Sequence, residues 1–246
     1  MLGTAPGSGG GVIGVVNVAG GTVGGAVVDD VEVWEHPLNA IKGTTNQAIW
    51  RSFMGVLSAS LNVMVNLTRI YTSTGDDGQT RLADNSNVPK TDPRIAFMGA
   101  IDEANSAIGV ALTLTIDAEV TGVLRTVQND LFNIGADVAT PRDAGSEPPS
   151  HDDAVARLES WCDHFNAALS PLRSFLLPGG CPRSAQFHVA RAVVRRAELA
   201  GWVANAVHPD INPSALRYLN RLSDLLFILA RQANARAGIP EPLWQP

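Results

Sequence analysis

Cysteine is nearly absent from the 246 residues: Cys162 and Cys181 are the only two, with no CxxC pair and no Cys/His spacing suited to zinc. Neither a disulfide framework nor a structural zinc site is indicated, and a reducing cytoplasm is the compartment that fits. Net positive charge is also lacking. A formal charge of -6 and a pI near 5.3 argue against general nucleic-acid or anionic-membrane binding, and leave room only for a local basic pocket. No Lys or Arg precedes Lys42, so the charged start of a secretory signal is missing. Ten glycines fall in residues 1–25, and they break up the apolar residues between Gly11 and Val28, which makes a poor span and a poor helix. Residues 1–63 therefore read as a Gly-rich extension, either disordered or produced by a start codon placed too far upstream. Met64 stands just ahead of the Asn66-Leu-Thr-Arg-Ile-Tyr71 run. A partner-binding segment that folds on contact is the alternative.

The remainder, 64–246, is expected to be the folded domain, and the 45% hydrophobic content of the chain is ample for a core. From Asp92 onward no stretch alternates with the period of a strand, so a Rossmann or other α/β assignment has little support. Helix signals are present instead. Asp92-Pro93 supplies a cap and a first-position proline for a helix to about Leu114, and a second is expected from about Ala118 to Val138. In the second, Val120, Val123, Leu124, Val127, Leu131 and Ile134 form the apolar stripe. A loop from Thr140 to Pro149 precedes a third helix over Asp152 to Leu169, with Ser150 as its cap. Pro178-Gly179-Gly180 breaks the chain before a fourth helix, and Asn212-Pro213 opens a fifth that runs to about Ala237, where Gly238 ends it. The expected fold is all-α, a five-helix bundle of ferritin-like up-and-down type preceded by a loop.

The fourth helix carries Arg191, Arg195, Arg196 and Glu198 among Ala190, Val193, Val194 and Ala197. Residues 191, 195 and 198 share a face, so two guanidiniums and a carboxylate are expected to enter the bundle interior or a subunit seam and meet an anion. An exposed Arg-rich helix is the plain alternative. Ahead of the bundle, Thr72-Ser73-Thr74-Gly75-Asp76-Asp77-Gly78-Gln79-Thr80 has the hydroxyls and glycines of a loop that wraps a polyphosphate, though an ordinary turn fits the composition equally well. It is not a Walker loop, because no Gly-Lys-Ser/Thr follows. Asp76 and Asp77 are unfavourable to an anion unless one orients the loop or reaches a Mg²⁺ on the phosphates. Lys90 would supply the missing positive charge, or is a lone surface lysine. On the first helix Asp102 could hold a guanidinium; on the fifth, Asn220 reads a base or sugar, or makes an interhelical hydrogen bond.

Taken in order, these segments resemble the PduO-type ATP:cob(I)alamin adenosyltransferases, also called corrinoid adenosyltransferases. The resemblance runs over about residues 67–246: Tyr71 to Thr80, Lys90 to Arg94, Asp102-Glu-x-Asn105, Gln128 to Asp137, Phe175 to Gly180, His188-Val-Ala-Arg191, Arg195-Arg-Ala-Glu198, Asn220 to Asp224 and Leu243-Trp244. It implies a homotrimer with sites between subunits. It implies transfer of the 5′-deoxyadenosyl group of ATP to the cobalt of cob(I)alamin, with release of triphosphate and with Mg²⁺ assisting. By position, Thr72, Ser73, Thr74, Gly75, Asp76, Gly78, Thr80 and Lys90 would wrap the triphosphate, while Arg191, Arg195, Glu198 and Asn220 hold phosphates, ribose and adenine. Arg191 and Asp102 would pair and link the ATP site to the corrinoid side, and Phe175 would pack under the corrin in place of the lower axial ligand. No metal ligand is assigned directly, since Mg²⁺ is expected mainly on the ATP phosphates. A flavoprotein-type cobalamin reductase, and a B12-dependent mutase or its chaperone, are the implied partners; nucleic acid and membrane are not.

Three positions depart from the family pattern. Ser73 stands where Lys or Arg is common, Asp77 where some members have Lys, and Leu199 where an arginine is frequent after the Glu. The loop therefore carries less positive charge, and phosphate affinity would lean on Lys90 and the Arg helix. His188 is read as a packed helix residue rather than an acid or a metal ligand. Two rival functions are a carrier that binds ATP or cobalamin without catalysis and a structural, oligomerising bundle.

Overall fold

The computed structural model describes Ser73 and residues 75–143 and 145–245. The Gly-rich extension expected over residues 1–63, together with Thr72 and Thr74, lies outside the described residues. Two short strands, β1 (Gln79–Arg81) and β2 (Asn87–Pro89), are followed by α1 (Pro93–Thr113), α2 (Ala118–Val138), α3 (Asp152–Asn166), α4 (Pro182–Val207) and α5 (Pro213–Arg236). This is the expected five-helix architecture. The hairpin is an addition to it: β1 and β2 pair antiparallel with Thr80 opposite Val88, around a turn where Asn85 takes a φ of 68°.

Four of the five helices begin at a residue whose side chain caps them. Asp92 accepts the Arg94 amide at 2.8 Å and Pro93 needs no partner; Asn212 does the same for the Ser214 amide at 3.0 Å. Asp117 caps α2 through the Glu119 and Val120 amides. α4 opens on Cys181, whose thiol takes the side-chain role of a cap by accepting from Ser184 N at 3.4 Å, with Pro182 next. The third helix stops at Asn166 instead of Leu169, and its cap position falls on His151, which makes no side-chain cap bond, instead of on Ser150; Ser150 Oγ, one residue earlier, accepts the Asp152 amide at 3.1 Å.

α4 lies between α1 and α5; α2 packs on α1 and α3 on α5. The buried side of α1 is Phe97, Ile101, Ala104, Ile108 and Ala111, spaced three and four apart, and α2 buries the whole stripe read from its sequence. Small residues let α4 sit this close: Ala190, Ala197 and Ala204 are fully buried. At Gly201 an added Cβ would stand 2.4 Å from Leu216 Cδ2 and 2.8 Å from the Phe97 ring, so the three helices touch around a missing side chain.

Polar groups tie the connections to one end of the bundle. Arg94, 2% exposed, donates to Val138 O at 2.9 Å and pairs with Asp210 at 2.5 Å. Asp137 pairs with Arg142 and accepts from Asn212 Nδ2 at 2.9 Å, with His151 Nε2 at 2.9 Å on the same oxygen. These groups meet the rule that buried charge is kept only where it is paired.

Candidate active site

The loop ahead of the bundle is a built turn. Gly78 N–H donates to Gly75 O at 3.2 Å, Gly78 takes a φ of 82°, and Asp77 Oδ1 accepts the Gln79 amide at 3.1 Å. Asp77 therefore orients the loop backbone, which answers how a carboxylate is accommodated in a segment expected to meet phosphate. Lys90 is brought to the same turn: its amide donates to Gly78 O at 2.8 Å, and a Cβ on Gly75 would meet Lys90 Nζ at 3.0 Å. Glycine at 75 thus leaves the space the ammonium uses. Ser73 sits at a φ of 54°, Asp76 is exposed, and Thr80 is half-buried on β1.

On α4 the arginines do not enter the interior. Ala190, Val194 and Ala197 take the buried side, because the helix must fit between two neighbours, and the charges lie on its flanks. Arg196 bonds Glu103 of α1 at 2.5 Å in an exposed pair. Glu198 accepts from Asn220 Nδ2 of α5 at 3.1 Å. With about 100° of rotation per residue, Arg191 and Arg195 fall within about 60° of Glu198 and far from Arg196. Arg191 is half-buried, and its Nε is buried with no hydrogen-bond partner. Burial, and then the neighbouring Arg195, lower its affinity for the proton. Among the described residues no carboxylate lies within ion-pair distance of either guanidinium. Two adjacent cations so placed call for an anion. His188, one turn before Arg191, is buried and packs edge-on to Phe227 at 6.0 Å; burial and then Arg191 hold it below the ordinary imidazole value.

Phe175 lies beyond the opposite end of α4 from the turn and is 78% exposed. Its carbonyl accepts the Trp244 amide at 2.9 Å, Leu177 N–H donates to Pro242 O at 2.8 Å, and the Phe175 and Trp244 rings meet edge-on at 6.2 Å. The Leu243-Trp244 motif therefore closes on the Phe175 segment. Asp102 stands exposed on α1. The sequence reading missed the groups that hold this ledge, Arg231, Asn234 and Glu241. Only Gly180, which precedes the α4 cap at a φ of 104°, hinted at a special backbone there.

The model of the cobalamin adenosyltransferase family matches residues 70–233, which takes in the turn, the Phe175 segment and all five helices save the last turn of α5. The chain belongs to this family. Among cobalamin adenosyltransferases, the corrinoid adenosyltransferase of Mycobacterium tuberculosis is 53% identical over 190 residues, spanning 74% of this chain and 95% of that protein. That of Bacillus subtilis is 39% identical over 175 residues, 70% of this chain and 89% of its own length. Among solved structures, a variant PduO-type ATP:corrinoid adenosyltransferase from Lactobacillus reuteri, complexed with cobalamin and ATP, superposes with a TM-score of 0.69 at 34% identity. It covers 72% of this chain and all of that one. A second variant from the same organism, complexed with ATP, gives 0.67 at 35% identity over 72% of this chain and all of that one.

Proposed function

We propose that the protein transfers the 5′-deoxyadenosyl group of ATP to the cobalt of cob(I)alamin, forming adenosylcobalamin and releasing triphosphate. The observation that carries this reading is the pair Arg191 and Arg195, unpartnered by carboxylate among the described residues and next to the Glu198–Asn220 hydrogen bond. The guanidiniums suit phosphate oxygens, and the Glu198–Asn220 pair offers both an acceptor and a donor to a nucleoside. Lys90 over Gly75 supplies a further cation. Mg²⁺ would ride mainly on the phosphate oxygens, as hard oxygen-seeking Mg²⁺ does on nucleotides.

In the step itself a cobalt–carbon bond forms at C5′ as the C5′–O bond breaks, and the bonding electron pair leaves with triphosphate. Cob(I)alamin is the nucleophile and no general base is required. The chain's task is to align C5′ and to stabilise the charge growing on the leaving group, which Arg191, Arg195 and Lys90 suit. Phe175, exposed and apolar, would exclude water and the lower axial ligand from the cobalt, easing the one-electron reduction of cob(II)alamin by an external reductant such as a flavoprotein.

The assembly is a homotrimer in this reading, with the sites at subunit seams. Val189, Leu199, Val203 and Val207 run exposed along the outer face of α4, an apolar stripe suited to a second copy. Arg191 lies on the α5 side of α4 and Asp102 on α1, which favours an Arg191–Asp102 pair formed between copies. The domain works in the cytoplasm, where a B12-dependent mutase or its chaperone would receive the product.

Purified protein given ATP, Mg²⁺, cobalamin and a strong reductant should yield the light-sensitive spectrum of adenosylcobalamin; no such product would overturn the reading. Phe175→Ala should retain ATP affinity and lose turnover from cob(II)alamin selectively, and equal loss of both would contradict the role assigned to the ring.

A further inference from the structure

Phe175 stands in water on a segment outside any helix, yet its backbone is fixed from both sides by two buried residues one turn apart on α5. Arg231, 6% exposed, donates through Nη2 to Ser170 O at 2.7 Å, ahead of Phe175. Asn234, 2% exposed, donates to Gly179 O at 3.2 Å and accepts the Cys181 amide at 2.9 Å, behind Phe175. The same Arg231 holds the closing segment, with Nε on Glu241 Oε1 at 2.8 Å and Nη2 at 3.3 Å from Oε2. From Glu241 the chain runs directly into the Pro242, Leu243 and Trp244 contacts with Leu177, Leu176 and Phe175. Ser174 Oγ also donates to Trp244 O at 3.3 Å. Gly180 is part of the device, because a Cβ there would fall 2.1 Å from Asn234 Oδ1.

A buried guanidinium is a costly way to fill space, and an apolar residue would serve a packing role at less cost. Its advantage is the rigid fork, which lets one side chain fix two separate chain segments at once. Here those segments carry the two rings of the ledge. We propose that Arg231 and Asn234 are positioning residues for the corrinoid half of the reaction: they clamp the 170–181 segment and the 241–244 segment so that Phe175 is held edge-on to Trp244. The inference rests on the adenosyltransfer reading above.

The test uses Arg231→Met, Asn234→Ala and Glu241→Ala in the full chain, the last being a half-exposed position that carries the experiment if a buried variant fails to fold. Hydrogen exchange reads the clamp without reference to activity. In Glu241→Ala the Leu177 and Trp244 amides should exchange at least about tenfold faster while the α1 and α2 amides keep their protection. Unchanged exchange at both amides would overturn the clamp itself. Kinetics read the positioning. With cob(II)alamin and reduced flavin, kcat should fall about tenfold or more, whereas with cobalamin already reduced to cob(I) by borohydride it should stay within about threefold, at an unaltered KM for ATP. In the electron paramagnetic resonance spectrum of bound cob(II)alamin, the splitting from an axial nitrogen should return in the variants. Faster exchange with unchanged cob(II) kinetics would overturn the positioning role, as would an equal loss of ATP affinity and of both cobalamin reactions. Failure of the parent protein to make adenosylcobalamin would instead strike the function proposed above, with the exchange result still deciding the clamp.

Discussion

Asn220 on α5 donates to Glu198 on α4 across 3.1 Å, and this contact fixes the carboxylate on the same flank as Arg191 and Arg195. Without it Glu198 would be free to fold back onto its neighbouring guanidiniums and neutralise the proposed phosphate site. Asn220→Ala should therefore raise the KM for ATP by roughly ten- to 150-fold, the equivalent of about 1.5–3 kcal/mol for a hydrogen bond to a charged group. Thermal stability should hardly change, because Asn220 is exposed. A variant with an unchanged ATP KM would remove the pair from the site.

Arg191→Ala separates ligand binding from folding. The half-buried guanidinium has an unsatisfied Nε and a like-charged neighbour, so its loss costs the apo protein little. ATP should raise the melting temperature of the parent protein and lose most of that effect in the variant. Differential scanning fluorimetry with and without ATP measures both; a strong drop in apo stability would mean that Arg191 is structural.

Gly201→Ala tests the contact of three helices. A helix gains roughly 1 kcal/mol from alanine over glycine, but overpacking a closed interior costs about 1–3 kcal/mol and here the new methyl would be 2.4 Å from Leu216. The clash should win. Urea denaturation should report a less stable variant, and a more stable one would show that α4 has slack.

Acid should weaken the fold in two stages. Burial, and then Arg142, depress His151, and burial and then Arg191 depress His188, so both imidazoles bind fewer protons folded than unfolded. Their stabilisation is complete above about pH 6.5, the unfolded value, and is lost as pH falls through their lowered folded values. Asp210 follows at lower pH: burial opposes its ionisation, yet bonds from Arg94 and Arg142 outweigh that and hold its carboxyl below the usual range. Its contribution is present above about pH 3.9 and disappears as pH falls through the folded value. The urea midpoint should decline from neutral pH towards pH 5, and a flat profile over that interval would contradict the histidine assignment.

Local signals carried most of this architecture. Asp92-Pro93, Asn212-Pro213 and the 3.6-residue stripe of α2 each act within a few residues, and their helices begin or run where those residues put them. Cys181 escaped as a cap because a thiol is a weak acceptor, and the β1–β2 hairpin escaped because three-residue strands show no period. The candidate site was legible where residues were close in sequence or where the family resemblance ordered them. It was not legible at Arg231 and Asn234, whose partners Ser170, Gly179 and Cys181 lie more than 50 residues away and include backbone groups with no side-chain signature. Distance also hid the Asn212 partner of Asp137, 75 residues away in sequence.

Lys90 has a chemical individuality that its place beside Gly75 makes useful. The chain holds two lysines against sixteen arginines, and Lys90 is the one lysine among the described residues. Amine-directed reagents and isotopic methylation therefore reach only the α-amine, Lys42 and Lys90, so that in a Lys42→Arg variant one lysine methyl resonance, at the proposed triphosphate turn, would report ATP arriving and departing.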